Sequence, residues 1–158
     1  MTTGTGSGFV PGRQLLNIAK GIPLFRAAST LPQSTASAIY NIVGGRVLLT
    51  SIVGKITVVL GAVGNMSLEE NPTTGTTEAL CAVVAAGTYA AGDTMSITGV
   101  AANAMVPAAT GGTPGMTTQG VVLRVGTLDW RLSGANSGEM SWLVTYVPID
   151  DGAYMTVA

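Results

Sequence analysis

The chain has 158 residues, enough for one domain with a real core and too few for two of ordinary size. Only 9% of its residues are Asp, Glu, Lys or Arg, against roughly 25% in ordinary soluble domains, and 7 basic residues against 8 acidic ones give a net charge of −1. That balance leaves no electrostatic footprint for nucleic acid; the missing histidine removes imidazole chemistry and His-rich metal sites; a single cysteine, Cys81, removes an intrachain disulfide and most zinc sites.

Residues 1–36 differ from the rest. Met1 to Gly8 is a Gly/Thr/Ser run, and Met1 to Gln14 lacks the basic start and apolar core of a secretory signal. Pro11 and Gly21 bracket RQLLNIAK, the proline suiting a first helical position and the glycine a C-terminal stop. Leu15, Leu16 and Ile18 line one side of that short helical turn. Pro23-Leu24-Phe25-Arg26 and Leu31-Pro32-Gln33 follow, with prolines too frequent for a central strand. The reading is an extended N-terminal arm, 1–36, whose anchors Leu15, Leu16, Ile18, Leu24 and Phe25 meet another surface.

From Ser37 the pattern is β. Two apolar runs, Ser37 to Val43 and Arg46 to Thr50, flank Gly44-Gly45 and predict a tight hairpin, because glycine accepts positive φ without steric cost. Val47 to Gly64 is apolar enough to raise the question of a membrane span. Lys55 near its middle, the interrupting Thr, Ser and Gly, and the β-branched residues argue instead for two short strands joined near Gly54-Lys55. Further strands are expected at Asn65–Glu70, Leu80–Val84, Thr94–Val100, Gly120–Arg124 and Thr127–Leu132, with a turn at 71–76 and a long uncharged loop at 107–120. Glu139 to Val147 alternates strictly, Met140, Trp142, Val144 and Tyr146 against Ser141, Leu143, Thr145 and Val147. Many short strands between Gly, Pro and Asn turns predict an all-β fold over 37–158, a β-sandwich or jelly-roll-like barrel.

Chemical motifs are few. Val53-Gly54-Lys55-Ile56 is no phosphate loop, since Leu49 stands where the first glycine belongs and Ile56 where Ser or Thr should follow the lysine. Adjacent Glu69 and Glu70 point to opposite faces of a strand and so do not converge as acid and base. Asp150-Asp151-Gly152 reads as a turn, too short an acidic run to supply the oxygens calcium needs. Cys81 sits in an apolar strand with no basic neighbour and reads as core. Trp130, Trp142 and Tyr146 suit a cross-strand aromatic cluster better than a sugar platform. Asp129 and Arg131 share a face and are positioned to pair. Asn65-Met66-Ser67 fits a glycosylation sequon but has no supporting context. No cofactor, metal site or catalytic residue is indicated.

Residues 27–45 and 94–123 carry no charged side chain. A free monomer normally intersperses charges over its surface, and charge depletion marks the buried centre of protein–protein interfaces, so self-association is expected.

Leu31-Pro32-Gln33-Ser34-Thr35, the run Ile42 to Gly54, Asn71-Pro72-Thr73 and Tyr146 to Ala153 together resemble a family of small β-rich virion proteins of tailed bacteriophages. The likeness runs from about Pro23 to the C-terminus, and some members serve as cement, or decoration, proteins on icosahedral heads. The resemblance implies a homotrimer on the outer capsid surface that clamps neighbouring major capsid protein subunits. It implies no catalytic residue, membrane or direct nucleic-acid contact. The alternative is a head or tail fibre component that binds a host surface glycan, and an enzyme would need two acids brought together in a cleft.

Overall fold

The computed structural model describes residues 12, 17, 19–62, 64–109, 112 and 117–158. Among these described residues twelve strands follow one another: β1 (Ile22–Thr30), β2 (Ala36–Val43), β3 (Val47–Ala62), β4 (Asn65–Pro72), β5 (Glu78–Ala79), β6 (Val84–Ala85), β7 (Thr94–Ser96), β8 (Val106–Ala108), β9 (Val121–Leu123), β10 (Gly126–Leu132), β11 (Asn136–Pro148) and β12 (Tyr154–Val157). They form two antiparallel sheets. The first runs β1-β11-β3-β7-β8, with β9 also on β3; the second runs β12-β2-β10-β4-β5, with β6 also on β4. Packed face to face, they make a β-sandwich, as the strand pattern predicts.

The core is built by alternation. Met140, Trp142, Val144 and Tyr146 of β11 are all buried, facing Leu128, Trp130 and Leu132 of β10 in the opposite sheet. Trp142 and Trp130 meet edge to face between the sheets, ring centroids 5.3 Å apart. Tyr40 of β2 ties the layers together: its hydroxyl lies 3.0 Å from the Trp142 carbonyl and 3.2 Å from that of Leu24, both in the other sheet. Burial holds its phenol well above the usual range, so it donates at every working pH. Tyr40→Phe leaves these carbonyls without their donor and is expected to cost about 1–2 kcal/mol in chemical denaturation, with an unchanged m-value.

Three expectations are corrected. Gly44-Gly45 does not turn a hairpin, because β2 and β3 lie in different sheets and do not pair. The two glycines, at φ 78° and 156°, carry the chain across the sandwich pressed against Gly152 and Asp150, where no Cβ fits. Nor does the chain break at Gly54-Lys55. β3 is one strand of 16 residues, and Gly54 lies under the β11 side chains: a Cβ there would stand 2.1 Å from Met140 Cε and 2.8 Å from the Trp142 ring. Its inward face switches from Val47 and Leu49 to Ile52, Gly54 and Ile56 across an irregularity at Thr50 in the pairing with β11. Among the described residues no helix is long and apolar enough to cross a membrane.

The third concerns the N-terminal region. Ile22–Thr30 is a strand of the sandwich, hydrogen-bonded to β11 from Ile22↔Tyr146 to Thr30↔Glu139. Its place at the sheet edge accommodates Pro23, which has no N–H to donate. Ile22 and Leu24 pack against the core and Leu31 is buried in it. β12 had no counterpart among the expected strands, and Leu80–Val84 is reduced to two-residue strands at either side.

Candidate interaction surface

The titratable groups that sequence reading singled out are engaged in structure. Glu69 and Glu70 do point to opposite faces. Glu70 lies inward, opposite Leu128, and is buried. Its carboxylate accepts the Arg124 backbone N–H, Nε at 3.1 Å and Nη2 at 2.8 Å, which fastens the link between β9 and β10 to β4. Glu69 lies on the outer face of the second sheet, in register with Asp129. Arg131 reaches Glu69 at 3.4 Å rather than pairing with Asp129, whose Oδ2 accepts from Asn71 at 3.4 Å. Glu69 and Asp129 thus stand side by side on neighbouring strands with the Arg131 guanidinium on Glu69, an arrangement that alternation alone did not reveal because it joins β4 to β10.

Asp150 also departs from its expected role. The turn forms, with the Ala153 N–H donating to the Asp150 carbonyl, but the carboxylate serves Arg46. It accepts the Arg46 backbone N–H at 2.7 Å and a bidentate fork, Nε at 2.9 Å and Nη2 at 2.7 Å. The guanidinium holds the Asp150 carboxyl down at about 2. A depressed folded-state value means that the pair's stabilisation is complete above the unfolded carboxyl value near 3.8 and is lost as pH falls through about 2. Arg46→Ala is therefore expected to flatten the decline of melting temperature between pH 4 and 2, read from thermal melts. The effect is small, because both side chains are partly exposed.

Cys81 is buried, its Sγ accepting the Leu68 N–H at 3.3 Å, and burial raises its thiol pKa. Among the described residues no group of three or more His, Cys, Asp or Glu side chains could hold a metal ion. Trp130, Trp142 and Tyr146, the rings considered for sugar stacking, are buried at 2%, 1% and 4% exposure.

What the protein does present is an apolar sheet face. The residues of β11 that alternate with its core side chains look outward from the first sheet, and the register aligns Phe25, Leu143 and Val53 across β1, β11 and β3. Phe25 is 62% exposed and Leu143 44%. With Lys55, Thr94 and Ser141 they line a groove of about 300 Å³. One row continues the surface through Pro23, Thr145 and Ser51, and another through Val147, Leu48 and the exposed Val122. Of the five residues expected as anchors, Phe25 is thus outward and Leu24 inward on the same strand. Leu15, Leu16 and Ile18 lie outside the described residues. Leu143 was legible as the off-core position of an alternating strand; that Phe25 and Val53 flank it required the sheet order.

Compared with protein-family models, with curated proteins and with solved structures, the chain has no significant match in any of the three.

Proposed function

We propose that this chain is a structural virion protein, a cement or decoration protein that trimerises on the outer surface of a phage capsid and clamps neighbouring major capsid protein subunits. The observation that carries the reading is the outward Phe25–Leu143–Val53 row, its Phe25 and Leu143 exposed and Val53 half-buried, on a sheet face with almost no charge. Broad apolar contact of this kind, at roughly 25 cal/mol per Å² buried and repeated around a symmetry axis, suits a protein whose work is assembly. The distribution of charge supports it. Glu69, Glu70, Asp93 and Asp129 are buried, so an already weakly ionic chain shows still less charge outside. The resemblance of its motifs to small tailed-phage virion proteins points the same way.

The fibre alternative, with a host surface glycan as ligand, would be favoured by exposure of Trp130 or Trp142, and both are in the core. The test is to mix purified protein with undecorated heads and sediment them. Saturable binding at capsomer junctions, with heads more resistant to heat or chelator, is the expected result; protein that stays in the supernatant at tens of micromolar would refute the reading.

A further inference from the structure

The long strands of the first sheet put two charges of opposite sign on its outer face, and a third, Lys20 just before β1, lines a hollow with Pro23 and Thr145 at the far end of that face. Each of the three long strands has a single charged residue: Arg26 on β1, Lys55 on β3 and Glu139 on β11. Arg26 shares the inward side with Trp142 and donates to Ser29. Lys55 and Glu139 are left on the outer side, on neighbouring strands, Lys55 opposite Ser141 and Glu139 opposite Val58. Among the described residues neither makes an ion pair. One cation and one anion beside an apolar row form a surface whose complement is another copy of itself. A rigid sheet face also loses little conformational freedom when it is covered.

We propose that this face is where copies of the chain meet one another, with Phe25 and Leu143 covered at the symmetry axis and Lys55 of each copy pairing with Glu139 of the next. The occupant is a second copy rather than the capsid, because the two charges match each other. This assignment deepens the proposed function and rests on its claim of self-association. It leaves the capsid contact to other surfaces. Burying the apolar row supplies the affinity, and the charge pair sets the register between copies, since a slipped arrangement would cover Lys55 or Glu139 without a partner.

Sedimentation velocity of the full chain tests it, with thermal melts of each variant as a check on folding. Wild type is expected to sediment as an oligomer at 10–100 µM, roughly the range in which moderate interfaces are occupied. Phe25→Glu and Leu143→Glu, both at exposed positions, should each give monomer with a nearly unchanged melt. Lys55→Glu alone should weaken association at least tenfold through like-charge contact, and Lys55→Glu combined with Glu139→Lys should restore it. A monomeric wild type, an oligomer that survives both apolar substitutions, or a charge swap that restores nothing would overturn the assignment. Head binding separates the two claims. An oligomer that dissociates on Phe25→Glu but never binds heads keeps this interface and removes the capsid reading. A Phe25→Glu protein that keeps its mass and loses head binding makes the face a capsid contact instead.

Discussion

Gly126→Ala is expected to lower the melting temperature by about 10 °C, the sum of backbone strain and a clash that nothing can relieve. Gly126 opens β10 and is held on both sides, by Ile42 of β2 and Pro72 of β4. Its φ of +150° is rarely adopted by an L-residue, and a Cβ would stand 2.3 Å from the Asn71 carbonyl oxygen and 2.5 Å from Pro72 Cα. Both are backbone atoms of a paired strand, so relief would require β4 to leave β10. Gly152→Ala is the control. Its φ of +77° is also positive, but no atom lies within 4 Å of the added carbon. It should therefore show strain alone, about 1 kcal/mol, or a shift of about 2–4 °C. Equal shifts in the two variants, measured by calorimetry, would show that the approach of β4 contributes nothing.

The second large effect concerns Glu70 and Arg124. Glu70 is 4% exposed, and without the guanidinium its carboxylate would keep only the Arg124 backbone N–H. Arg124→Ala is expected to lower the melting temperature on the order of 10 °C, because a buried charge loses its counter-charge and two of its donors. The double variant Arg124→Ala with Glu70→Met should recover most of the loss, since an apolar side chain of similar length has no charge to strand. Failure of the double variant to recover would mean that the pair does more than neutralise itself, holding the β9–β10 link in place through the Arg124 contact with the Thr76 carbonyl.

Glu69 and Glu70 face opposite ways, and Glu70 and Asp150 are each clasped by an arginine. Among the described residues, the outer face of the first sheet is left apolar and partly exposed. Recognition there would depend on shape, burial and one charge pair, which is the physics of assembly.

Strand content was legible in the sequence where a long run alternates, as in β11, and was missed in β1 and in the short β12. The alternation from Glu139 to Val147 correctly separated Met140, Trp142, Val144 and Tyr146 from Leu143, because a period of two is a property of the extended chain and needs no partner. The opposed directions of Glu69 and Glu70 follow from the same local rule, whereas Cys81, between β5 and β6, was legible as core from its apolar neighbours. Sheet membership is not local. Gly44-Gly45 has the composition of a hairpin turn and is a crossing between sheets; Gly54 has that of a break and is the hollow that receives Trp142. Pro23-Leu24-Phe25 has that of an arm and is an edge strand. In each case the deciding contact comes from residues about 90 or more positions away, on β11 or in the Asp150 turn, and short-range pattern cannot register it.

The amino-acid sequence by itself determined that the chain is β-structured, weakly charged and rich in residues suited to burial, since these are consequences of side-chain chemistry and of the pleat. Alternation set Leu143 apart from the core; only the tertiary structure decided that Phe25 and Val53 stand outside beside it. Phe25, Leu143 and Val53 are no less hydrophobic than their buried neighbours. They face outward because the pairing of β1, β11 and β3 can turn just one side of each strand toward the opposite sheet.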